Sequence, residues 1–429
     1  MRLFHVPGPA MGYVTISCSF AGGSSLDPTA RKGLANVTAE LALRGTQKST
    51  RQQLARRFEF LGCSPSVGVG VESANFSFDA PTRFLPDLLE LLSEVFTQPV
   101  FRPSELTNLK RQLTGEMVDL RDNDSAAASM FFGQALYAGD PYGHPIRGYA
   151  ATLNAITPKN VATFRSEHYT RHRLLLGVAG SISAKEAEAQ VGSLFEHLPQ
   201  GAATPLPMLP DTTCEGLDLL LVTKEERSQA QVIIGQRAIP GDHPLMVPLR
   251  VAVLGFGGTF TSPLVREIRE KRGWSYGVSA GLMAGRRGGS FKMRFSPKND
   301  EVAPAISLAL EMLNELVYKG PDEETLAFTK RFLVQQYPFM TETPVSRLDQ
   351  MMHVAATNKP SDYLDTYCER VQAVEADAAL FALRSVLLPA RQTVVVFGDP
   401  SLEESLTKIP GIARFRKLNV DYDAPIAPS

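Results

Sequence analysis

The chain has 429 residues and a nearly balanced charge, with 44 Lys and Arg against 45 Asp and Glu. This length allows about two to four domains whose cores need no disulfide or metal for support. Because phosphate binding requires a basic excess or patch, the balance argues against nucleic acid as the partner. No apolar run approaches the roughly 18 residues of a membrane span, and the N-terminus lacks the layout of a secretory signal. We therefore expect no membrane partner and a cytoplasmic location, or a periplasmic one if a signal peptide was removed.

The first half of the chain predicts strands and amphipathic helices in alternation. A β-rich stretch at residues 13–20 is followed by a helix at residues 33–43 and a strand at residues 73–78. In the next helix, around residues 86–96, apolar side chains recur at spacings of three and four residues. They predict one buried helix face, formed by Leu85, Leu88, Leu89, Leu92 and Phe96.

A stretch with four prolines at residues 198–216 lacks hydrophobic periodicity and predicts an extended linker. Beyond it, a β-rich stretch at residues 231–239 precedes a helix at residues 244–254. A strand at residues 289–295 and a helix at residues 302–317 follow. The order of the first half therefore recurs in the second half.

Two pairs of matching segments support an internal duplication. Gly62 and Gly273 lie in similar surroundings 211 residues apart, and Gly180 and Gly398 follow similar apolar strands 218 residues apart. Two anchors far apart in the chain with nearly the same offset favour duplication over chance. We predict an α+β protein of two homologous domains of about 200 residues, at residues 1–197 and 217–429. Each is expected to be a largely antiparallel sheet layered with helices.

The predicted early helix has a sequence context with a known parallel. Residues 33–46 read Gly-Leu-Ala-Asn-Val-Thr-Ala-Glu-Leu-Ala-Leu-Arg-Gly-Thr. This stretch resembles the helix on which inverzincins, such as pitrilysin, insulysin and the mitochondrial processing peptidase, carry His-x-x-Glu-His. In those enzymes the two histidines bind zinc on one helical face and the glutamate activates water. The resemblance places Asn36 and Glu40 at the histidines, Ala39 at the general base and Glu116 at the third ligand.

These substitutions argue against zinc in this chain. Two carboxylates and an amide suit Mg²⁺ or Ca²⁺ better than zinc, and position 39 offers no base. We expect no metal cofactor here; a self-sufficient peptidase built on Glu40 and Glu116 is a disfavoured alternative. Only His168 and His172 are spaced four residues apart, and we interpret them as structural because no acidic ligand accompanies them at the family's spacing.

The second half retains a different part of the family pattern. In residues 256–278 a glycine turn and a serine lead into a helix of the Leu-x-x-x-Ile-Arg-Glu type, followed by Arg269 and Tyr276. In active relatives such a pair faces the zinc across a closing chamber. The tyrosine hydroxyl stabilises an oxyanion and the arginine holds substrate carbonyls. A mixed charge run is otherwise typical of a solvated helix face; the family context on both sides favours the functional interpretation.

The resemblance implies a zinc-free subunit of a heterodimeric zinc metalloendopeptidase, inactive in isolation. A homologous partner with His-x-x-Glu-His would supply the zinc and the base, and this chain would supply Arg269 and Tyr276. The substrate would be an unfolded peptide held along a strand edge. The alternative is a non-catalytic structural or peptide-binding subunit that resembles the core proteins of the respiratory bc1 complex.

Overall fold

The computed structural model describes residues 1–8, 12–202 and 215–426, which form two sheets covered by helices. The strands of the first sheet are β1 (Arg2–Pro7), β2 (Tyr13–Ala21), β3 (Ser66–Val69), β4 (Ser73–Pro81) and β5 (Leu174–Gly180). Those of the second are β6 (Leu217–Thr223), β7 (Gln231–Ala238), β8 (Val278–Ala284), β9 (Gly289–Phe295), β10 (Thr393–Gly398) and β11 (Ile412–Asn419). Residues 203–214 of the predicted linker lie outside the described residues.

The α-helices are interspersed with single turns of 3₁₀ or π geometry. Those before the second sheet are α1 (Leu34–Ala42), α2 (Arg51–Phe60), α3 (Leu85–Thr97), α4 (Pro103–Asp119), α5 (Asp124–Leu136), α6 (Ala150–Asn154), α7 (Pro158–His168) and α8 (Ala184–Glu186). The later ones are α9 (Met246–Gly257), α10 (Pro263–Val265), α11 (Val302–Lys319), α12 (Glu323–Met340), α13 (Pro344–Ala356), α14 (Tyr367–Gln372), α15 (Ala376–Val386) and α16 (Glu403–Leu406). In the described part of the chain, no helix combines the length and the apolarity that a membrane span requires.

The two sheets share one strand order. The first runs β1-β5-β2-β4-β3, and the second runs β11-β6-β10-β7-β9-β8, so the second repeats the first with β11 added at one edge. The corresponding pairs β1–β5 and β6–β10 are parallel. The other shared pairs are antiparallel in both sheets. The structure confirms the predicted α+β class, with two related, largely antiparallel sheets layered with helices.

The glycines that suggested duplication occupy equivalent places. Gly62 follows α2 with φ of 64°, and Gly273 follows the π-helical turn Arg266–Lys271 with φ of 67°. Both adopt the left-handed conformation in which a helix often ends and which glycine reaches without a Cβ clash. Gly180 and Gly398 end the corresponding strands β5 and β10. A common ancestor of the two halves explains all four placements.

The predicted apolar face of α3 packs into the core of the first sheet. Leu85, Leu88, Leu92 and Phe96 are buried in this cluster and Leu89 packs against it. Aromatic rings complete the same core, where Phe20 of β2 stacks on Tyr169, the residue after α7, with ring centroids 4.6 Å apart. The spacing of three and four residues therefore predicted the buried side of this helix.

The chain divides into two compact units that do not follow the order of the sequence. The first unit comprises Met1–Val118, His144–Pro207 and Phe339–Ala356, and the second comprises Asp119–Gly143, Met208–Pro338 and Thr357–Ser429. Helix α5 packs Phe131 and Phe132 into the core of the second sheet, whereas α13 packs Leu348 and Met352 on the first sheet. The predicted range 1–197 therefore includes α5, which belongs to the second unit, and the predicted range 217–429 includes α13, which belongs to the first. Sequence order could not reveal this exchange, because any amphipathic helix satisfies an uncovered apolar sheet face.

Candidate functional site

Helix α1 carries three of the positions that the resemblance assigns to the zinc chemistry of the inverzincins. Asn36 and Glu40 lie four residues apart on one half-buried face of the helix. Ala39, at the position of the general base, is 0% exposed and belongs to the core that packs on the first sheet. The helix therefore keeps the expected geometry while the base position is filled by a small apolar side chain.

The two carboxylates predicted near this site belong to one chain of polar contacts. Glu40 Oε2 lies 3.8 Å from Nη2 of Arg44, one turn later on the chain. The same nitrogen donates to Oε1 of Gln112 at 2.7 Å, and Nε2 of Gln112 donates to Oε1 of Glu116 at 3.0 Å. Glu116 Oε2 in turn pairs with Nη2 of Arg147 at 3.1 Å. The structure thus brings Glu40 and Glu116 together through arginine and glutamine side chains.

This arrangement does not fit a zinc ion. Arg44 is buried, with 7% of its surface exposed, and places a permanent positive charge where the two carboxylates approach each other. A cation in the same place would be repelled, and the remaining donor, the Asn36 amide, is a poor zinc ligand. Within the described residues, no three His, Cys, Asp or Glu side chains are grouped so that they could hold a metal.

A buried pair of side chains anchors the beginning of α1. Asp27, whose side chain is 0% exposed, accepts the backbone N–H groups of Gly33 and Ala35 at 2.7 Å each. His144 Nε2 lies 3.9 Å from Asp27 Oδ2. Burial raises the pKa of Asp27 to about 7, although the two backbone hydrogen bonds and Lys32 oppose the rise. Burial also lowers the pKa of His144. No local pattern could predict this pair, because its members are more than 100 residues apart.

The one pair of histidines with ligand-like spacing does not share a helix face. Helix α7 ends at His168, and His172 lies in the separate 3₁₀ turn Arg171–Arg173. The His168 ring packs against Phe164 with centroids 4.4 Å apart. Burial, with a contribution from Arg173, lowers the pKa of His168 to about 4. His168 therefore fits a structural role, and His172 is exposed.

The segment that carries Arg269 and Tyr276 leads directly into the edge strand β8. Arg269 lies on the π-helical turn Arg266–Lys271, an irregularity that is frequent at functional sites. The turn is anchored by Ile268, which is fully buried and whose carbonyl accepts the Trp274 N–H at 3.0 Å. Close packing of α9 against β8 depends on Gly257, where a Cβ would approach the Cβ of Ala280 to 2.5 Å.

The guanidinium of Arg269 lies between two aromatic rings. Its Cζ is 4.7 Å from the ring centroid of Tyr276 and 5.4 Å from that of Phe260. Tyr276 and Phe260 are 86% and 77% exposed. The predicted pair is therefore in contact. Phe260 is a third member that the sequence analysis missed, although it lies in the same segment, residues 256–278.

The positive charge of Arg269 has no neutralising neighbour in the part of the chain that the structure describes. The nearby carboxylate of Glu267 is 2.7 Å from Lys271 Nζ and 3.3 Å from Arg272 Nη2. No described carboxylate lies within ion-pair distance of Arg269 itself. Cation–π contacts at an exposed site stabilise the position of the guanidinium by about 0.5–1 kcal/mol. They leave its positive charge available to bind a ligand.

Known proteins match both halves of the chain. Residues 10–149 match the profile described as "Insulinase (Peptidase family M16)", and residues 155–333 match "Peptidase M16 inactive domain". The chain belongs to peptidase family M16. The positions of the degenerate zinc motif fall within the first match, and Arg269 and Tyr276 fall within the second. The resemblance to the pitrilysin and insulysin family is thereby confirmed.

The names of the relatives of this M16 chain disagree on whether the protein is a peptidase. An "Uncharacterized zinc protease" of Rickettsia felis is 23% identical over 324 residues, which cover 75% of this chain and 74% of the relative. "Non-peptidase homolog YmxG" of Helicobacter pylori is 22% identical over 367 residues, or 84% of this chain and 83% of the relative. The names therefore range from protease to non-peptidase among relatives of similar distance.

Solved structures share the fold over almost the whole chain. The peptidase M16 inactive domain from Pseudomonas fluorescens has a TM-score of 0.86 at 23% identity, and the match covers 92% of this chain and 95% of that one. A protease from Helicobacter pylori has a TM-score of 0.80 at 15% identity and covers 92% and 96%. At these identities the likeness establishes the two-domain M16 fold.

Proposed function

We propose that this chain is the zinc-free subunit of a two-chain M16 peptidase and that it contributes Arg269 and Tyr276 to a shared active site. A homologous partner with His-x-x-Glu-His would supply the zinc that polarises the scissile peptide bond, together with the general base. Positions 36, 39 and 40 of this chain provide neither. The observation that carries the proposal is the contact between Arg269 and Tyr276 at an exposed surface.

The hydroxyl of Tyr276 would donate a hydrogen bond to the oxyanion that develops during peptide hydrolysis. A preorganised donor stabilises developing charge most strongly where water is excluded. In this chain alone Tyr276 is 86% exposed, so its full effect requires a covering surface. The partner subunit would provide that cover when the two chains close on the peptide.

The guanidinium of Arg269 would bind a main-chain carbonyl of the substrate. Its planar fork offers several donors in a fixed geometry, and the rings of Phe260 and Tyr276 hold that plane in place. A charge with no described carboxylate partner loses no existing ion pair when it binds a carbonyl. The same stack therefore orients both proposed catalytic groups.

An extended peptide could lie beside Tyr276 along the edge of the second sheet. Among the described strands, β8 pairs only with β9, so its outer edge has unpaired N–H and C=O groups. β8 begins at Val278, two residues after Tyr276. Main-chain pairing with such an edge gives affinity with little demand on sequence.

A second candidate function is a structural or peptide-binding subunit with no catalytic contribution. Two observations favour it. The Helicobacter pylori relative is named a non-peptidase homolog. In this chain, helix α1 and the residues after it offer the buried side chains of Ala39 and Arg44, neither of which can bind a metal ion. This candidate predicts that Arg269 and Tyr276 can be replaced without any effect on peptide cleavage.

The decisive experiment measures cleavage of a quenched fluorescent peptide by this chain, by a homologue with His-x-x-Glu-His from the same source, and by the two mixed. Activity in the mixture alone, abolished by a chelator, is the expected result. Activity of the homologue alone that mixing leaves unchanged would refute the shared site and leave the second candidate.

A further inference from the structure

A pocket of about 360 Å³ opens between α5 and the β8 side of the second sheet. Its polar lining side chains come from α5 and three adjacent strand segments: Ser125, Gln231, Ser279, Arg294 and Ser296. Gly277 and Val278, the residues directly after Tyr276, also line it. None of the described lining residues is acidic, so the pocket presents hydroxyl groups, an amide and one guanidinium.

Two cations share the face of β9 on which the pocket lies. Arg294 is half-buried, and Lys292, two residues earlier, points to the same face of the sheet. The Lys292 Nζ is 5.3 Å from the ring centroid of Phe132 on α5. Burial, reinforced by the charge of Arg294, lowers the pKa of Lys292 to about 8. The second positive charge is therefore held in a poorly solvated place.

No carboxylate compensates these cations in the described ranges. Neither Lys292 nor Arg294 has an Asp or Glu within ion-pair distance there, although nearby cations do: Lys224 and Arg227 both pair with Asp124. Ser279 of β8 lies opposite Arg294 of β9. Because opposed residues share a face of the sheet, the serine hydroxyl and the guanidinium lie on the same face. Uncompensated charge beside hydroxyl donors is the chemistry of an anion site.

We propose that this pocket binds a carboxylate of an acidic peptide, with the Arg294 guanidinium as its principal donor. The peptide part of the proposal rests on the proposed function, and the carboxylate part rests on the pocket. A guanidinium fork matches the two oxygens of a carboxylate, and the hydroxyl groups of Ser125 and Ser279 supply further donors. The Ser296 hydroxyl donates to Oε1 of Gln231 at 2.8 Å. The site would give the shared active site a preference for Glu or Asp at one substrate position.

The location of the pocket explains how a substrate side chain would reach it. Gly277 and Val278 belong both to the pocket wall and to the approach to edge strand β8. An extended peptide advances about 3.3 Å per residue. A peptide whose scissile bond lies at Tyr276 would therefore carry the acidic side chain only a few residues away.

The test measures binding of fluorescent peptides to the full chain without any partner or zinc. The peptides form matched pairs in which one position at a time is Glu or Gln. At low salt we expect about tenfold tighter binding of the Glu peptide at one position, and this preference should shrink as salt rises. The absence of a preference at every position would overturn the proposal with no substitution involved.

Variants assign the preference to the pocket. R294Q should remove it and leave the affinity for the Gln peptide unchanged, whereas R294K, which keeps the charge, should retain part of it. R331Q, an exposed arginine of α12, changes the net charge equally and should leave the preference intact. A full preference in R294Q, or its loss in R331Q, would refute the assignment.

Succinate separates the two sources of a carboxylate. If acidic peptides displace succinate in an Arg294-dependent way, the peptide assignment is supported. If succinate binds and acidic peptides do not compete, the ligand is a free dicarboxylate and the peptide proposal fails. Because this assay requires no cleavage, its failure leaves the outcome of the mixing experiment on Tyr276 and Arg269 unaffected.

Discussion

The two halves of this chain share a strand order but differ at the positions to which the family resemblance assigns chemistry. In the first half, α1 holds Asn36 and Glu40 on one face, and Arg44 links Glu40 to the Gln112–Glu116 pair. In the second half, Arg269 lies uncompensated between two exposed rings. The first group of side chains is thus buried or paired within the chain, whereas the second is exposed at the surface, as the proposed function requires.

The proposed function accounts for this difference by the loss of one reactive site from a preserved fold. At the first site, Arg44 lies beside Glu40 and donates to Gln112, so its positive charge offsets the repulsion between the Glu40 and Glu116 carboxylates. An exposed aromatic pair around a free arginine has no comparable structural benefit beyond about 1 kcal/mol. The proposed function gives this exposed group a role, namely contact with a molecule outside the chain.

The largest effect is expected for Tyr276→Phe, measured as peptide cleavage by the mixed subunits. The ring stack on Arg269 would remain while the oxyanion donor is lost, so kcat should fall about 10²–10³-fold. Tyr318→Phe is the matched control, because Tyr318 is also exposed and lies beneath Arg384. A normal cleavage rate in a Tyr276→Phe, Arg269→Ala double variant would refute the proposed role of these two residues in catalysis.

Ala39→Glu tests whether the core around position 39 of helix α1 has room for a carboxylate. A carboxylate introduced at a fully buried core position without a partner should lower the free energy of unfolding by about 3 kcal/mol. Urea denaturation measures the change. Asn36→Glu, on the half-buried face of the same helix, should cost about 1 kcal/mol or less. Wild-type stability of Ala39→Glu would show that the position still has room for the family's base.

Asp27→Asn tests whether the buried carboxyl group of Asp27, which accepts backbone N–H groups at the start of α1, makes stability depend on pH. Because the pKa of Asp27 is raised in the folded chain to about 7, its stabilising contribution is complete below the ordinary value near 3.8 and is lost as the pH rises through about 7. Wild-type stability should therefore fall by about 2 kcal/mol relative to Asp27→Asn between pH 5.5 and pH 7. Urea denaturation at both pH values measures it.

The control for that pH dependence is Asp87→Asn. Asp87 is an exposed carboxylate in the first turn of α3, so its replacement should shift stability by a similar amount at both pH values. Parallel pH profiles for the wild type and Asp27→Asn would contradict the buried, raised-pKa state of Asp27.

The smallest effect is expected for Phe260→Ala. Loss of one ring from the stack should leave the hydroxyl of Tyr276 in place and raise KM about fivefold, since a cation–π contact at an exposed site is worth up to about 1 kcal/mol. Steady-state cleavage by the mixed subunits separates KM from kcat. Phe381→Ala, another exposed phenylalanine, serves as the control. A large drop in kcat instead would place Phe260 among the groups that contact the reacting bond.

The sequence by itself determined the features that depend on local periodicity and spacing. The apolar stripe of α3, the paired glycines at 62 and 273, and the ends of β5 and β10 follow from patterns within a few residues. The loss of the zinc motif could also be read directly, because ligand identity at fixed helical spacing decides metal binding.

Only the tertiary structure decided which distant groups meet. The exchange of α5 and α13 between sheets, the contact of Arg44 with Gln112, and the burial of Asp27 against His144 join residues 68 or more positions apart. The pocket beside Arg294 likewise needs α5 to cover the second sheet. Such contacts depend on which helix packs on which sheet in the folded chain. Local sequence patterns carry no information about that pairing.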